Sequence, residues 1–401
     1  MKSKVKKFIK RSVIIIVSLV LICLAVFSRA IGPAIEFTRS PVYTGHSFLT
    51  YPMPGYDASK KTVMIIADKD GTEMFDMLAP FYLFNSTGMA NVFIVAEKLE
   101  PIVVRKGLFV LPQLTFAQVD SMNIKPDVIV VPNQSVMVGM KQKKATVNFI
   151  KEHYNGQNRI LSVCDGSATV ASTGIYDGKP LTTHSSDYEP IKKQYGKPAW
   201  TQGVRVTQSG NLFSTAGVSN ATEGSLIVIR DLFGESVMQA VQAGIHYPAI
   251  EIKMDHQNKV VTTDAIFIAI KKGAFKRNEK IGVLLKDSVN EFDLAATLDT
   301  YTRSFPSSIE SFSIGNKPIV SKYGLTMIAT GDISTGGDCT ELHVLNNLTV
   351  TKTDEALFPK AQVIRYGEVN DQYIIDTCLQ RIEALYGKEF AQTVRLMLDY
   401  N

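Results

Sequence analysis

From Lys61 onward the chain alternates short apolar runs with longer amphipathic stretches, the pattern of parallel strands joined by helices that cover both faces of a sheet. Residues 63–67 predict a first strand, 73–87 a helix stopped by Gly88, and 91–96 a second strand. A hairpin piece at 108–111, a third parallel strand at 127–131 and a helix at 144–154 follow. Next come an apolar strand from Ile160, a hairpin over 204–215, a long apolar helix at 221–233 ended by Gly234, and a last helix at 235–243. The set predicts an α/β domain over 61–248, with a flavodoxin-like parallel sheet sandwiched by helices. Within a connector at 249–278, residues 250–272 read as two short strands or as a strand and a helix.

The pattern then starts again. Ile281-Gly282-Val283-Leu284-Leu285 followed by Asn290 to Ala296 echoes Val63 to Ala67 followed by Thr72 to Ala79. Asp76 with Asp293, Pro101 with Pro318, Gly107 with Gly324 and Leu108 with Leu325 all share an offset of 217. Leu232-Phe233-Gly234 is echoed by Leu385-Tyr386-Gly387 at 153, so the second stretch is 64 residues shorter. We read 279–401 as a degenerate, non-catalytic second lobe, a tandem copy of the same fold, the alternative being a separate small α/β domain.

Ahead of both lobes stands a different pattern. Lys2, Lys4, Lys6, Lys7, Lys10 and Arg11 precede an uncharged apolar run from Ser12 to Phe27, a basic end followed by a hydrophobic segment. Residues 1–30 read as a single-pass cell-membrane anchor with the basic end cytoplasmic and the folded body exported. Ser28-Arg29-Ala30 keeps a cleaved signal peptide, and hence a secreted product, as the alternative. Residues 31–60, with Pro33, Pro41, Pro52, Pro54 and Gly55, read as an extended tether. Subtracting the six leading cations from the formal charge of +5 leaves −1 for the rest, which argues against a nucleic-acid partner. Of four cysteines, Cys23 lies in the apolar segment; the odd number left argues against a disulfide framework.

The chemistry concentrates at Ile160 to Ser172. An apolar strand that runs into Cys164-Asp165-Gly166 and then small residues is the recipe for a nucleophile elbow. There the first amides of the next helix, with its dipole, would favour a thiolate. His184, in Leu181-Thr182-Thr183-His184 after a turn at 176–179, would return an imidazole to the same edge of the sheet. Asp76, flanked by Phe75, Met77 and Leu78, points a carboxylate into the body, with Glu73 better placed to stabilise the helix dipole. The segment 185–200 is polar and irregular, and would close over the site.

At Val163-Cys164-Asp165-Gly166, Thr182-Thr183-His184, Ser214-Thr215-Ala216-Gly217-Val218 and Tyr247-Pro248 the chain resembles the DJ-1/PfpI family of the class I glutamine amidotransferase-like superfamily. The likeness is to the branch of isonitrile hydratase-like proteins and the amidase-like sensor domains of AraC-type regulators. It implies Cys164, His184 and Asp76 as catalytic residues, with Asp76 exchanging a proton with the sulfur, and a pocket or oxyanion hole built from Asp165, Asn133, Gln134 and Gly217. Because members of the family pair, it also implies that 279–401 packs on the first lobe as a pseudo-dimer within one chain. Three features set limits. Asn133-Gln134 replaces the paired glycines of many relatives, Asp165 replaces the His of peptidase-like members, and Ser186 breaks the glutaminase His-x-Glu pattern. No DNA-binding motif follows the domain. The reading is a cysteine-dependent hydrolase, hydratase or lyase acting on a small electrophilic molecule, with no metal and no cofactor. The alternatives are a ligand- or redox-sensing module that uses the same pocket, and a scaffold at the membrane surface.

Overall fold

The computed structural model describes residues 2–38, 41–45, 53–104, 107–134, 139–248, 255, 259–335, 337–345, 348, 350–366 and 372–400. Parts of the predicted tether, of the connector and of the loop after the third strand (Ser135) lie outside them, as does Gly336. Helix α1, Lys2–Thr38, runs on through Pro33, so the first residues assigned to the tether are helical. Proline lacks an N–H, which leaves the Arg29 carbonyl without its helical donor. Asn278 Nδ2 donates to that carbonyl at 3.2 Å instead.

The first lobe comprises β1 (Lys61–Ile66), α2 (Met74–Ser86), β2 (Ala90–Ala96), β3 (Ile102–Val103), β4 (Leu108–Val110), β5 (Leu114–Thr115), α3 (Phe116–Ser121), β6 (Val128–Val131), α4 (Lys144–His153), β7 (Arg159–Ser162) and α5 (Gly166–Thr173). It continues through β8 (Pro180–Leu181), α6 (Tyr188–Gln194), β9 (Ala199–Trp200), β10 (Val206–Ser209), β11 (Leu212–Thr215), α7 (Ala221–Phe233) and α8 (Glu235–Gly244). The strands order as β10-β11-β7-β6-β1-β2-β5, parallel except for β10. Strand β1 is buried along nearly its whole length because helices cover both faces, hence its unbroken Val-Met-Ile-Ile.

Helix α9 (Thr263–Phe275) occupies the second half of the connector. Then follow β12 (Lys280–Leu284), α10 (Glu291–Thr302), β13 (Ser308–Ser313), β14 (Ile319–Val320), β15 (Thr326–Ala329), β16 (Gly331–Asp332), β17 (Glu341–Val344), α11 (Lys352–Ala356), β18 (Gln362–Arg365), α12 (Ile374–Tyr386) and α13 (Lys388–Leu398). The second sheet, β16-β13-β12-β17-β18, is parallel throughout. The starts of α2 and α10 lie 217 residues apart, as do β3 and β14; α7 and α12 lie 153 apart at both ends. Left-handed backbone recurs at the same offsets: Gly107 and Gly324, Gly234 and Gly387, His246 and Asp399.

The lobes meet in two layers. Helices α2 and α10 pack through Phe75 and Phe292, whose ring centroids are 5.2 Å apart. Strands β4 and β15 pair antiparallel, with Val110 opposite Met327, the residue 217 positions further on. Phe109 then faces Ile328 and Leu108 faces Ala329, the antiparallel register that a two-fold axis through the Val110–Met327 pair produces.

Candidate functional site

Cys164 follows β7 after the single residue Val163 and carries φ 55°, a left-handed conformation that L side chains adopt only under constraint. The constraint is visible. A Cβ on Gly166 would run into the Val131 carbonyl of the neighbouring strand, so the chain turns at once from strand into α5 only with glycine there. The Cys164 amide donates to Thr215 Oγ1 at 3.4 Å and its carbonyl accepts from Thr183 Oγ1 at 3.2 Å. The predicted elbow is therefore present, at the carboxyl end of the sheet.

Cys164 is 2% exposed. Burial first, then the carboxylate of Asp165 and to a lesser degree the nearby Asp76 and Glu73, push its pKa well above the ordinary thiol value, while the Asp165 amide donating to it pulls the other way. Helix amides favour the anion, but the dry site and the adjacent Asp165 carboxylate favour the thiol more.

Asp76 sits within the first turn of α2, fully buried as its apolar neighbours imply. Its Oδ2 accepts the Asn133 amide at 3.1 Å, while Oδ1 is buried without a partner. Burial, then Glu73, raise its pKa well above the ordinary carboxyl value, against the pull of the Asn133 amide. Glu73 caps the helix, its Oε2 accepting the Asp76 amide at 2.9 Å. Two expected donors are otherwise engaged. The Asn133 amide serves Asp76, and the Gly217 amide donates to Asn220 Oδ1 at 3.1 Å, so neither is a free oxyanion donor. The Gln134 side chain is buried with both Nε2 and Oε1 unpartnered, an orphaned amide beside the Asn133–Asp76 bond. Asp165 keeps its amide on the sulfur and accepts Thr183 Oγ1 at 2.8 Å.

His184 is tied to the elbow through Thr183 but does not hydrogen-bond the sulfur. Its Nδ1 accepts the Ser186 amide at 3.2 Å and stands 3.7 Å from Asp187 Oδ2. The covering segment is more ordered than its polarity predicts, because Tyr188 and Ile191 on α6 are buried. Cys339 and Cys378 are free thiols away from any elbow.

Sequence reasoning missed the second lobe's share of this region. Arg303, just past α10, is buried between Glu73, with Nη2 3.4 Å from Oε1, and Asp299, which its Nη1 bonds. Burial works against this guanidinium, but Asp299 and Glu73, and to a lesser degree Cys164, hold its pKa above the ordinary range. Asp399, beyond α13, accepts the Ser185 amide at 3.1 Å and the Ser185 hydroxyl at 2.9 Å. A Cβ on Gly217 would overlap the Asp399 side chain, so Gly217 is the seat of that contact. The repeat offsets were the one available signal, since they imply a partner face without saying which residues reach across it.

An elbow cysteine at the end of a parallel sheet, with an acid from the first helix behind it, defines a cysteine-site α/β protein. Residues 60–230 match the DJ-1/PfpI family, and the chain carries a DJ-1/PfpI family domain. It is similar to isonitrile hydratase of Pseudomonas putida, 26% identical over 175 residues, which are 44% of this chain and 74% of the relative. It is also similar to protein dj-1beta of Drosophila melanogaster, 23% identical over 188 residues, 47% of this chain and 97% of the relative. The crystal structure of Drosophila melanogaster DJ-1beta superposes at a TM-score of 0.42 with 22% identity, covering 46% of this chain and 97% of that one.

Proposed function

We propose that this protein is a cysteine-dependent hydratase or hydrolase of a small electrophile, held at a membrane by α1. The observation that carries it is the strained Cys164 faced by a buried Asp76 with one unpartnered oxygen. Cys164 Sγ adds to the electrophilic carbon. Asp76, protonated at rest, gives its proton to the substrate, at the attacked carbon of an isonitrile or at the adjoining nitrogen or oxygen of a nitrile or carbonyl, and takes the thiol proton. Water then displaces the sulfur, forming the C–O bond as the C–S bond breaks, and a proton returns to sulfur. The sum is addition of water, the change named in the isonitrile hydratase relative. His184 and Asp187 steer this water, and Gln134 supplies the orphaned amide that binds the substrate's polar end.

The burial of the sulfur also favours a second reading, a sensor in which Cys164 reacts only when the pocket opens. The second lobe acts in either case as a built-in partner, and Lys10–Thr38 of α1 is long and apolar enough to cross a membrane. Turnover of isonitrile, nitrile, amide and aldehyde substrates by wild type, Cys164→Ser and Asp76→Asn is the test. Turnover lost in both variants supports the enzyme; no turnover in wild type, or turnover retained in Cys164→Ser, overturns it.

A further inference from the structure

The outer end of α1 and helix α9 form a two-helix flank that the Cys164 chemistry leaves unused. An added Cβ on Gly273 of α9 would stand 3.0 Å from the Ala30 Cα of α1, and Arg29 Nη2 donates to the Lys276 carbonyl at 3.4 Å. The last turn of α9 is therefore level with Arg29, close to where the uncharged run of α1 ends. An apolar cleft of about 360 Å³ lies between the helices, lined by Ala30, Ala34, Ile266, Ile270 and Phe305 among others.

The outer surface of this flank is apolar as well. Ile266, Phe267 and Phe275 on α9 are 52%, 64% and 68% exposed, and Ile31 and Ile35 on α1 are 54% and 60% exposed. Large apolar side chains gathered on one exposed face are rare on a surface that meets only water. Charge is distributed along α9 in one direction. Asp264 stands in its first turn, whereas Lys271, Lys276 and Arg277 lie towards and just past the end that meets Arg29. Aromatic rings beside Lys and Arg, next to an apolar helix, suit the boundary between acyl chains and anionic headgroups.

We infer that α9 and the outer end of α1 are seated in the bilayer surface, Phe267 and Phe275 among acyl chains and Lys271, Lys276 and Arg277 at the headgroups. This rests on α1 being the membrane helix, and adds that the folded body is docked on the lipid and not hung from it. The partner is the lipid surface itself.

Full-length chain with Trp200→Phe and one added tryptophan, by Val20→Trp, Phe267→Trp or Phe275→Trp, is reconstituted into phosphatidylcholine–phosphatidylglycerol vesicles with brominated acyl chains. Quenching of fluorescence by at least half in all three, with Trp200 of the parent chain unquenched, supports the inference. Quenching of Val20→Trp alone overturns it and leaves the anchor standing. Quenching of none overturns both.

Discussion

Arg303 of the second lobe reaches Glu73 of the first, Nη2 to Oε1 at 3.4 Å, inside the region that surrounds Cys164. The electrostatics of the cysteine site are thus set partly by a side chain 230 residues from Glu73 in the chain. Arg303→Met would leave Glu73 and Asp299 buried without their cation, and breaking a buried pair from one side costs about 3–5 kcal/mol. Urea denaturation should show a loss of that size; a variant as stable as wild type would mean the pair is solvated.

Asp76→Asn should stabilise the protein while disabling it. Burial, then Glu73, raise the Asp76 pKa, so the native state keeps a proton that the unfolded carboxyl, near ~3.9, has lost. The native state binds more protons, and stability contributed by this group falls as pH rises from about 4 through the folded value. The asparagine variant escapes that loss. Its denaturation midpoint should exceed that of wild type at pH 7 and approach it near pH 4, with kcat lowered about 10²–10⁴-fold.

Alkylation of Cys164 by a neutral reagent should rise only on the alkaline side of an ordinary thiol, because burial and then Asp165 raise its pKa. Asp165→Asn removes the largest charge acting on the sulfur and should shift the rate profile to lower pH. A profile already saturated at neutral pH would show an activated thiolate and reverse the assignment.

Gly217→Ala should destabilise by about 1–3 kcal/mol through overlap with Asp399. Asp399→Gly removes the obstructing side chain and suits φ 53°. In that background the alanine penalty should shrink; equal penalties in both backgrounds would show that the two residues do not meet.

Most elements were legible because their causes are local. Gly234 ends α7 and Glu73 caps α2 at the positions the sequence marks, and the apolar run of β1 reads as a strand buried on both faces. The elbow was legible for the same reason: Cys164 and Gly166 meet a backbone requirement within three residues. The apolar residues of the connector fit either period, and the continuation of α1 from residue 31 through Pro33 is not legible because the new donor to the Arg29 carbonyl, Asn278, is remote in sequence.

What the sequence alone determined is the order of the elements, the spacing of 217 between the two stretches, and the residues of the elbow. What only the tertiary structure decided is the state of the sulfur and the company it keeps. Strand periods and turn residues act through neighbours in the chain, whereas burial and charge act through space. Whether Cys164 rests as thiol or thiolate depends on Asp165, Asp76 and Glu73 converging in one dry site, with Arg303 reaching Glu73 from the far lobe.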